Sequence, residues 1–301
     1  MKAAKINKTK YFNTDKILDI ILKVIIVLFL ATIIYPLIYV VSSSFSSGEA
    51  VTTGRVLLFP VDFTLYGYEL IFSFKQVWTA YANTIFYAVV GTMLNLVLTI
   101  LVAYPLSRKK FLGKGFATTV FAIPMFFGGG LIPTYILMSN FHLVDTRLVI
   151  LLSGTINIYN MIIMRTFFQT SIPYDLYEAA VIDGITDFGY LFKIVLPLSK
   201  AIISVVALYY MVGHWNAYFT PMIYLTNKNL QPLQIILREI LRASRIDASQ
   251  ITDGALLAQM ASMSEVMKYS LIVVSTLPML IIYPYIQKFF EKGVMIGSVK
   301  G

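Results

Sequence analysis

The sequence has no cysteine, only two histidines and few charged residues, 13% of 301, and each shortage excludes something. Without cysteine there are no disulfides, thiolate nucleophiles or Cys-ligated metals, and the redox compartment leaves no trace. His142 and His214 lie far apart and outside any His/Glu zinc pattern, so a metalloenzyme lacks visible ligands; His142 is expected to cap an outer turn. No G-x-x-x-x-G-K-[ST] loop is present to cradle nucleotide phosphates, so any ATP is left to a partner. No G-x-S-x-G elbow and no paired carboxylates occur in the apolar stretches, which argues against an intramembrane hydrolase and a proton-coupled carrier. Asp19 and Lys23 are the exception, and an i, i+4 pair or snorkelling near a span end accounts for them.

What the chain has in abundance is apolar surface: 58% of residues are hydrophobic and the mean hydropathy is +0.76. A soluble fold of this length does not have that composition. A helix crosses hydrocarbon in roughly 20 apolar residues because its backbone groups pair internally. Six segments meet that length, at 17–43, 80–106, 115–139, 145–166, 195–222 and 268–290. The first is longer than a signal-peptide core, so despite the small residues around Ser42 to Ser47 it is read as an uncleaved span, with the mature chain beginning near Met1.

Lysine and arginine are retained on the cytoplasmic side during insertion. Lys2, Lys5, Lys8, Lys10 and Lys16 precede the first span, Arg108, Lys109, Lys110 and Lys114 follow the second, and Lys288, Lys292 and Lys300 follow the sixth. Arg165, Lys193 and Lys200 border the connection between spans four and five, so all these groups lie inside if both termini are cytoplasmic. The net charge of +9 is thereby an orientation signal and not a nucleic-acid footprint. Loops 44–79 and 223–267 then lie outside, the latter carrying Arg238, Arg242 and Arg245 interleaved with Glu239, Asp247, Asp253 and Glu265. Those arginines form either a basic face toward a binding protein or its ligand, or a solvated helix.

Between spans four and five, residues 171–184 read as a short helix, with Ser171 able to cap it, Pro173 in its first turn and Gly184 turning the chain at its end. Leu176, Tyr177, Ala180 and Val181 share one face at helical spacing, and Asp175, Glu178 and Asp183 point elsewhere. A second stretch opens near Thr186 or Asp187, runs to Ile194 and reaches Leu196-Pro197-Leu198 at the mouth of span five. By shape alone an interfacial helix lying on the headgroups fits equally.

The residues themselves are more specific. Glu178-Ala179-Ala180, then Asp183-Gly184, then Leu196-Pro197-Leu198 resembles the EAA loop of the ATP-binding-cassette import permeases. The resemblance covers essentially the whole chain and is nearest to the six-span permeases of carbohydrate importers, the group that holds the smaller membrane subunit of the maltose transporter. Trp215-Asn216 with Pro221 looks like that group's Trp-Asn motif, and Gly297-Ser298-Val299-Lys300-Gly301 like its ending. Met125 to Tyr135, with Gly128-Gly129-Gly130, and Pro232-Leu233-Gln234 with Leu237-Arg238-Glu239 resemble permeases of importers of complex, often acidic oligosaccharides.

The resemblance implies an all-α integral membrane protein: a cytoplasmic tail at 1–16, six transmembrane helices over 17–290, a cytoplasmic coupling helix between spans 4 and 5 in an EAA loop at 171–200, and a second cytoplasmic tail at 291–301. It assigns ATPase coupling to Glu178, Ala179, Ala180, Asp183, Gly184 and Pro197, and an ATPase contact to the tail from Gly297 to Gly301. Trp215, Asn216 and the triple glycine become candidates for the pathway or outer face, the glycines serving either close packing or a bend beside the path. Expected partners are a second homologous permease, two ATP-binding subunits carrying ATP-Mg, an extracellular sugar-binding protein and the bilayer, with no cofactor on this chain. A neutral di- or oligosaccharide as cargo, and a secondary carrier or membrane enzyme as the function, are the competing readings.

Overall fold

The computed structural model describes residues 8–243 and 254–298, and every regular element among them is helical. Three helices are long and apolar enough to cross a membrane, Lys16–Ser44, Lys75–Ser107 and Ala258–Pro284, and two bent helix pairs raise the number to five. The chain divides into two compact units, Met1–Ser73 with Leu241–Val274, and Phe74–Ile240 with Ser275–Gly301.

In the first unit, α1 (Lys8–Ser44) is apolar around its circumference over 24–38 and exposed there, so the surroundings of that stretch must be apolar too. Its end is polar and buried: Ser42, Ser43, Ser44 and Ser46 are each at most 4% exposed. Ser42 Oγ donates to the Leu58 carbonyl at 2.6 Å, Ser46 Oγ accepts from Val61 N at 3.0 Å, and the Ser44 and Tyr68 hydroxyls are 2.7 Å apart. The small residues that invite a cleavage-site reading therefore form a packed corner with α2 (Gly48–Thr52) and α3 (Tyr66–Ser73). Helix α15 (Gly254–Ser298) closes this corner, where Ser270 Oγ donates to the Ser44 carbonyl at 3.3 Å.

The second unit is built on α4 (Lys75–Ser107), whose buried face is a stripe of small and polar residues: Thr84, Ala88, Gly91, Asn95, Thr99 and Ala103. Such a stripe lets backbones approach closely where apolar burial offers no gain over lipid. At Gly91 an added Cβ would lie 2.5 Å from His214 Nε2. Segment 226–233 is held on α4 by polar bonds: Asn83 Nδ2 donates to the Asn229 carbonyl at 2.7 Å, Tyr87 Oη to Leu230 at 2.8 Å, and Thr84 Oγ1 accepts from Leu233 N at 2.8 Å.

Three expected spans are not single helices. Segment 115–139 is α5 (Lys114–Phe126) and α6 (Leu131–Asn140), bent by 115° at the triple glycine, with Gly130 at φ +80°. Helix α6 ends where His142, at φ +54°, carries the chain into a turn, with Leu143 N bonded to Met138 O and His142 N to Ser139 O. Segment 145–166 is α7 (Arg147–Leu152) and α8 (Ile158–Thr170), parted by residues 153–157, because Gly154 sits at φ +69° and Asn157 caps α8 through Asn160 N. Segment 195–222 holds α12 (Lys200–Trp215), with a separate α13 (Phe219–Tyr224), and the amphipathic α14 (Leu233–Ala243) follows.

Candidate functional site

The segment between α8 and α12 holds α9 (Asp175–Ile182), α10 (Asp187–Tyr190), a π-helical turn (Leu191–Val195) and α11 (Leu196–Leu198). The expected Ser171 cap is not made: Ser171 N bonds to Phe167 O and ends α8, and α9 starts after Tyr174 without a side-chain cap. The far end behaves as expected. Gly184, at φ +71°, bonds its N–H to Val181 O at 3.0 Å, and Ile185 N bonds to Ala180 O at 2.9 Å, a pair of bonds that closes a helix through a left-handed residue. Thr186 Oγ1 then accepts from Gly189 N at 3.2 Å and starts α10.

A proline inside a helix lacks an N–H and crowds the carbonyl four residues earlier. Ahead of Pro197 the ladder widens to a π turn, with Leu196 N bonded to Leu191 O, and beyond Leu198 the chain bends by 82° into α12.

The packing of α9 differs from the face read in the sequence. Ala180 is 2% exposed and Tyr177 packs on the same core, together with Tyr190, Leu191 and Met164, but Leu176 and Val181 stay outside. Glu178, Ala179, Asp183 and Gly184 are exposed, flanked by Ile182 at 85% and Phe188 at 69% exposure. Small, acidic and apolar groups thus share one protruding surface.

Three tyrosines hold this surface to the end of α4. The Arg108 guanidinium lies 4.0 Å from the Tyr177 ring centre, 4.8 Å from Tyr190 and 5.5 Å from Tyr104. Its Nη2 is buried and makes no hydrogen bond among the described residues, so the ring faces are its counter-surface. Lys109 lies 4.3 Å from the Tyr174 ring, and Tyr104 Oη donates to the Asp187 carbonyl at 3.0 Å. Burial, reinforced by the Asp187 carboxylate, pushes the Tyr177 hydroxyl up from its ordinary pKa and keeps it neutral.

A cavity of about 460 Å3 lies elsewhere in the same unit, between α4, α7, α8 and α12. Asn95, Ser153, Asn157, Asn160, Tyr209 and His214 line it. Asn95 Nδ2 and His214 Nε2 are 3.2 Å apart, the Thr99 and Tyr210 hydroxyls 2.7 Å, and Tyr210 Oη accepts from Asn157 N at 3.0 Å. Apart from His214, weighed only as a metal ligand, these polar groups were not singled out in the sequence; an Asn within an apolar span was the available signal.

Trp215 is 3% exposed and donates Nε1–H to the Ser275 carbonyl at 2.9 Å, three residues before Pro278 in α15. Asn216 is exposed and ends α12 through its N–H to Val212 O at 3.0 Å. At Gly128 and Gly129 an added Cβ meets nothing within 4 Å, so within this chain these glycines bend the backbone and do not admit a close neighbour. The backbone of Gly297 and Ser298 ends α15, while Val299, Lys300 and Gly301, like Arg245, fall outside the described residues.

Residues 95–296 match the family of binding-protein-dependent transport system inner membrane components. The chain belongs to that family. It is the membrane permease component of a binding-protein-dependent importer, a part that is not itself an enzyme. It is 36% identical over 290 residues to the polygalacturonan/rhamnogalacturonan transport system permease YtcP of Bacillus subtilis, covering 95% of this chain and 99% of that one. Protein LplC of the same organism is 37% identical over 90% of each chain. Among solved structures, a chain of a bacterial ABC transporter involved in the import of the acidic polysaccharide alginate superposes with a TM-score of 0.83 at 35% identity, covering 96% of this permease and all of that chain.

Proposed function

We propose that this permease carries acidic, polysaccharide-derived oligosaccharides into the cytoplasm, as one of two homologous membrane subunits driven by ATP hydrolysis on two partner ATPases. The observation that carries the substrate class is that two relatives named for different acidic polysaccharides each match nearly the whole chain.

Six spans follow if each bent pair crosses once and α7 with α8 forms the remaining crossing. The lysine and arginine distribution supports cytoplasmic termini, with tails at 1–16 and 291–301 around a membrane domain at 17–290. In that orientation the 171–200 loop faces the ATPase. Exposed Glu178 offers a carboxylate to a basic partner group, Ala179 allows close approach, and Ala180, Asp183, Gly184 and Pro197 shape the knob. The Gly297–Gly301 tail reaches the interface between the ATPase subunits, and ATP-Mg binds there and not on this chain. Trp215 with Asn216 and the bend at Gly128–Gly130 border the path. An external binding protein delivers cargo, and closure of the ATPase pair moves α9 and switches access between the two sides.

The test is ATP hydrolysis by the complete complex in lipid with its binding protein, offered acidic and neutral oligosaccharides. Stimulation by uronate oligomers alone is expected. Stimulation by neutral sugars alone overturns the substrate class, and a complex that forms but responds to no sugar keeps the transporter and discards the substrate assignment.

A further inference from the structure

We propose that a second cavity, between the end of α4 and residues 177–191, is a binding site for an anionic phospholipid, with the lipid phosphate on Arg108 and Lys110 and the acyl chain on the apolar residues around them. The site requires α4 to cross the bilayer, for which it is long and apolar enough, and requires nothing of the cargo.

Arg108 decides the charge of the ligand. It lines this cavity of about 520 Å3, and its Nη2 is buried with no hydrogen-bond partner among the described residues. The tyrosine rings beside it attract the charge, but a ring face offers no oxygen to the guanidinium N–H groups. Lys110 lines the same cavity, and among the described residues neither cation is in an ion pair. Buried donors in folded proteins are nearly all satisfied. The unesterified oxygens of a phosphodiester meet the guanidinium fork as a bidentate pair, with Lys110 as a point charge beside it. Asp187 is also in the lining and offsets one of the two cations, so the cavity suits the single negative charge of such a group.

The apolar part of the lining makes the ligand a lipid and not a soluble phosphate compound. Leu101, Leu112 and Phe188 line the cavity and are 44%, 93% and 69% exposed. A soluble anion leaves these side chains in water, whereas an acyl chain covers them. Their level in the membrane fits as well. Helix α4 carries no charged side chain after Lys75, and Arg108, Lys109 and Lys110 follow directly on its last residue, Ser107. Cations at that point mark the boundary where hydrocarbon gives way to headgroups, and basic pockets between membrane helices at this level hold anionic lipids. An orientation signal needs only the number of lysines and arginines in a loop. It needs neither a cavity nor a buried guanidinium without an acceptor.

Phe188 lines the cavity and is largely exposed, so Phe188→Trp places a fluorophore there without crowding. The complete complex is reconstituted in phosphatidylcholine vesicles holding a minority of phosphatidylglycerol, with bromine on the acyl chains of one lipid or the other. Quenching beyond that of the complex with Phe188 is scaled to the share of brominated lipid. Phosphatidylglycerol is expected to be favoured about fivefold, the effect of one net charge at a membrane surface. In the same background Lys110→Gln is expected to abolish the preference, and Asp187→Asn to raise it about fivefold further, a gain that a loosened fold does not produce. Arg108→Gln also lowers it, but Arg108 ties α4 to α9, so exposed Lys110 gives the cleaner result. Equal quenching by the two lipids overturns the anionic site. Absence of quenching by either shows that another subunit or a tail of this chain covers the cavity, and overturns it too. Both results leave the importer reading as it stands, since sugar-stimulated ATP hydrolysis in the same vesicles reports that separately.

Discussion

The Arg108 guanidinium stands 4.0 Å from the centre of the Tyr177 ring and so ties the last turn of α4 to α9. A desolvated cation over aromatic faces is worth about 2 kcal/mol, so Arg108→Ala is expected to lower the stability of the loop by about 1–2 kcal/mol, and Arg108→Lys by less. Thermal unfolding of the purified permease and sugar-stimulated ATP hydrolysis of the complex both report it. An unchanged Tm together with unchanged stimulation would remove the anchoring role.

Glu178 is exposed, so its loss should leave the fold alone. Glu178→Ala is expected to change stability by no more than about 0.5 kcal/mol while reducing sugar-stimulated ATP hydrolysis or recruitment of the ATPase subunits. Full stimulation in the variant would take Glu178 out of the coupling surface.

Gly184 ends α9 at φ +71°, a conformation that a β-branched residue adopts only at a cost of about 1–3 kcal/mol. Gly184→Val should therefore impair assembly with the ATPase subunits, and Gly184→Asn, which enters the left-handed region more readily, should retain most of it. Pull-down of the ATPase subunits separates the two; equal recovery would argue against a requirement for this turn.

Trp215 bonds through Nε1–H to the Ser275 carbonyl in α15. Trp215→Phe keeps an aromatic ring but loses that bond, and a loss of about 1 kcal/mol is expected in thermal or denaturant unfolding. A tryptophan serving only as a surface anchor would show no such loss.

Asp145, in the turn before α7, is at φ +61° and accepts from Asn227 N at 2.8 Å and Thr226 N at 3.0 Å. The Asn227 N–H, more than the burial that opposes it, holds the carboxyl below its ordinary pKa of 3.8. A lowered pKa in the folded state stabilises above the unfolded value, and that contribution fades as pH falls through the folded value. Proteolysis of the 226–232 segment should accordingly speed up below about pH 4 in the native protein, and Asp145→Ala should show fast cleavage already at neutral pH.

How much of this was legible depends on the range of the interactions. Helix ends at Gly184 and Thr186 were readable because the bonds involved span at most a few residues. The length and apolarity of α1 and α4, and the lysines around them, are properties of the chain before it folds, so membrane residence was readable as well. The EAA string carried the family on residue identity alone.

Long-range contacts decided the rest. Periodicity put Leu176 and Val181 on the same face as Tyr177 and Ala180, but only the fit of Tyr177 to Arg108 and of Ala180 to the core determined which part of that face turned inward. Ser171 is a good cap by type, yet it is the helical-geometry residue that ends α8, and α9 begins only at Asp175 with Tyr174 in the cap position. The apolar run at 145–166 is long enough for one helix, but Gly154 and Asn157 break it where Tyr210 and Asn95 close around a polar cavity. Sequence by itself determined that this chain lives in a membrane and which transporter family it belongs to. The tertiary structure decided where polar groups meet inside it, because a buried asparagine takes its meaning from the helix opposite and not from its neighbours along the chain.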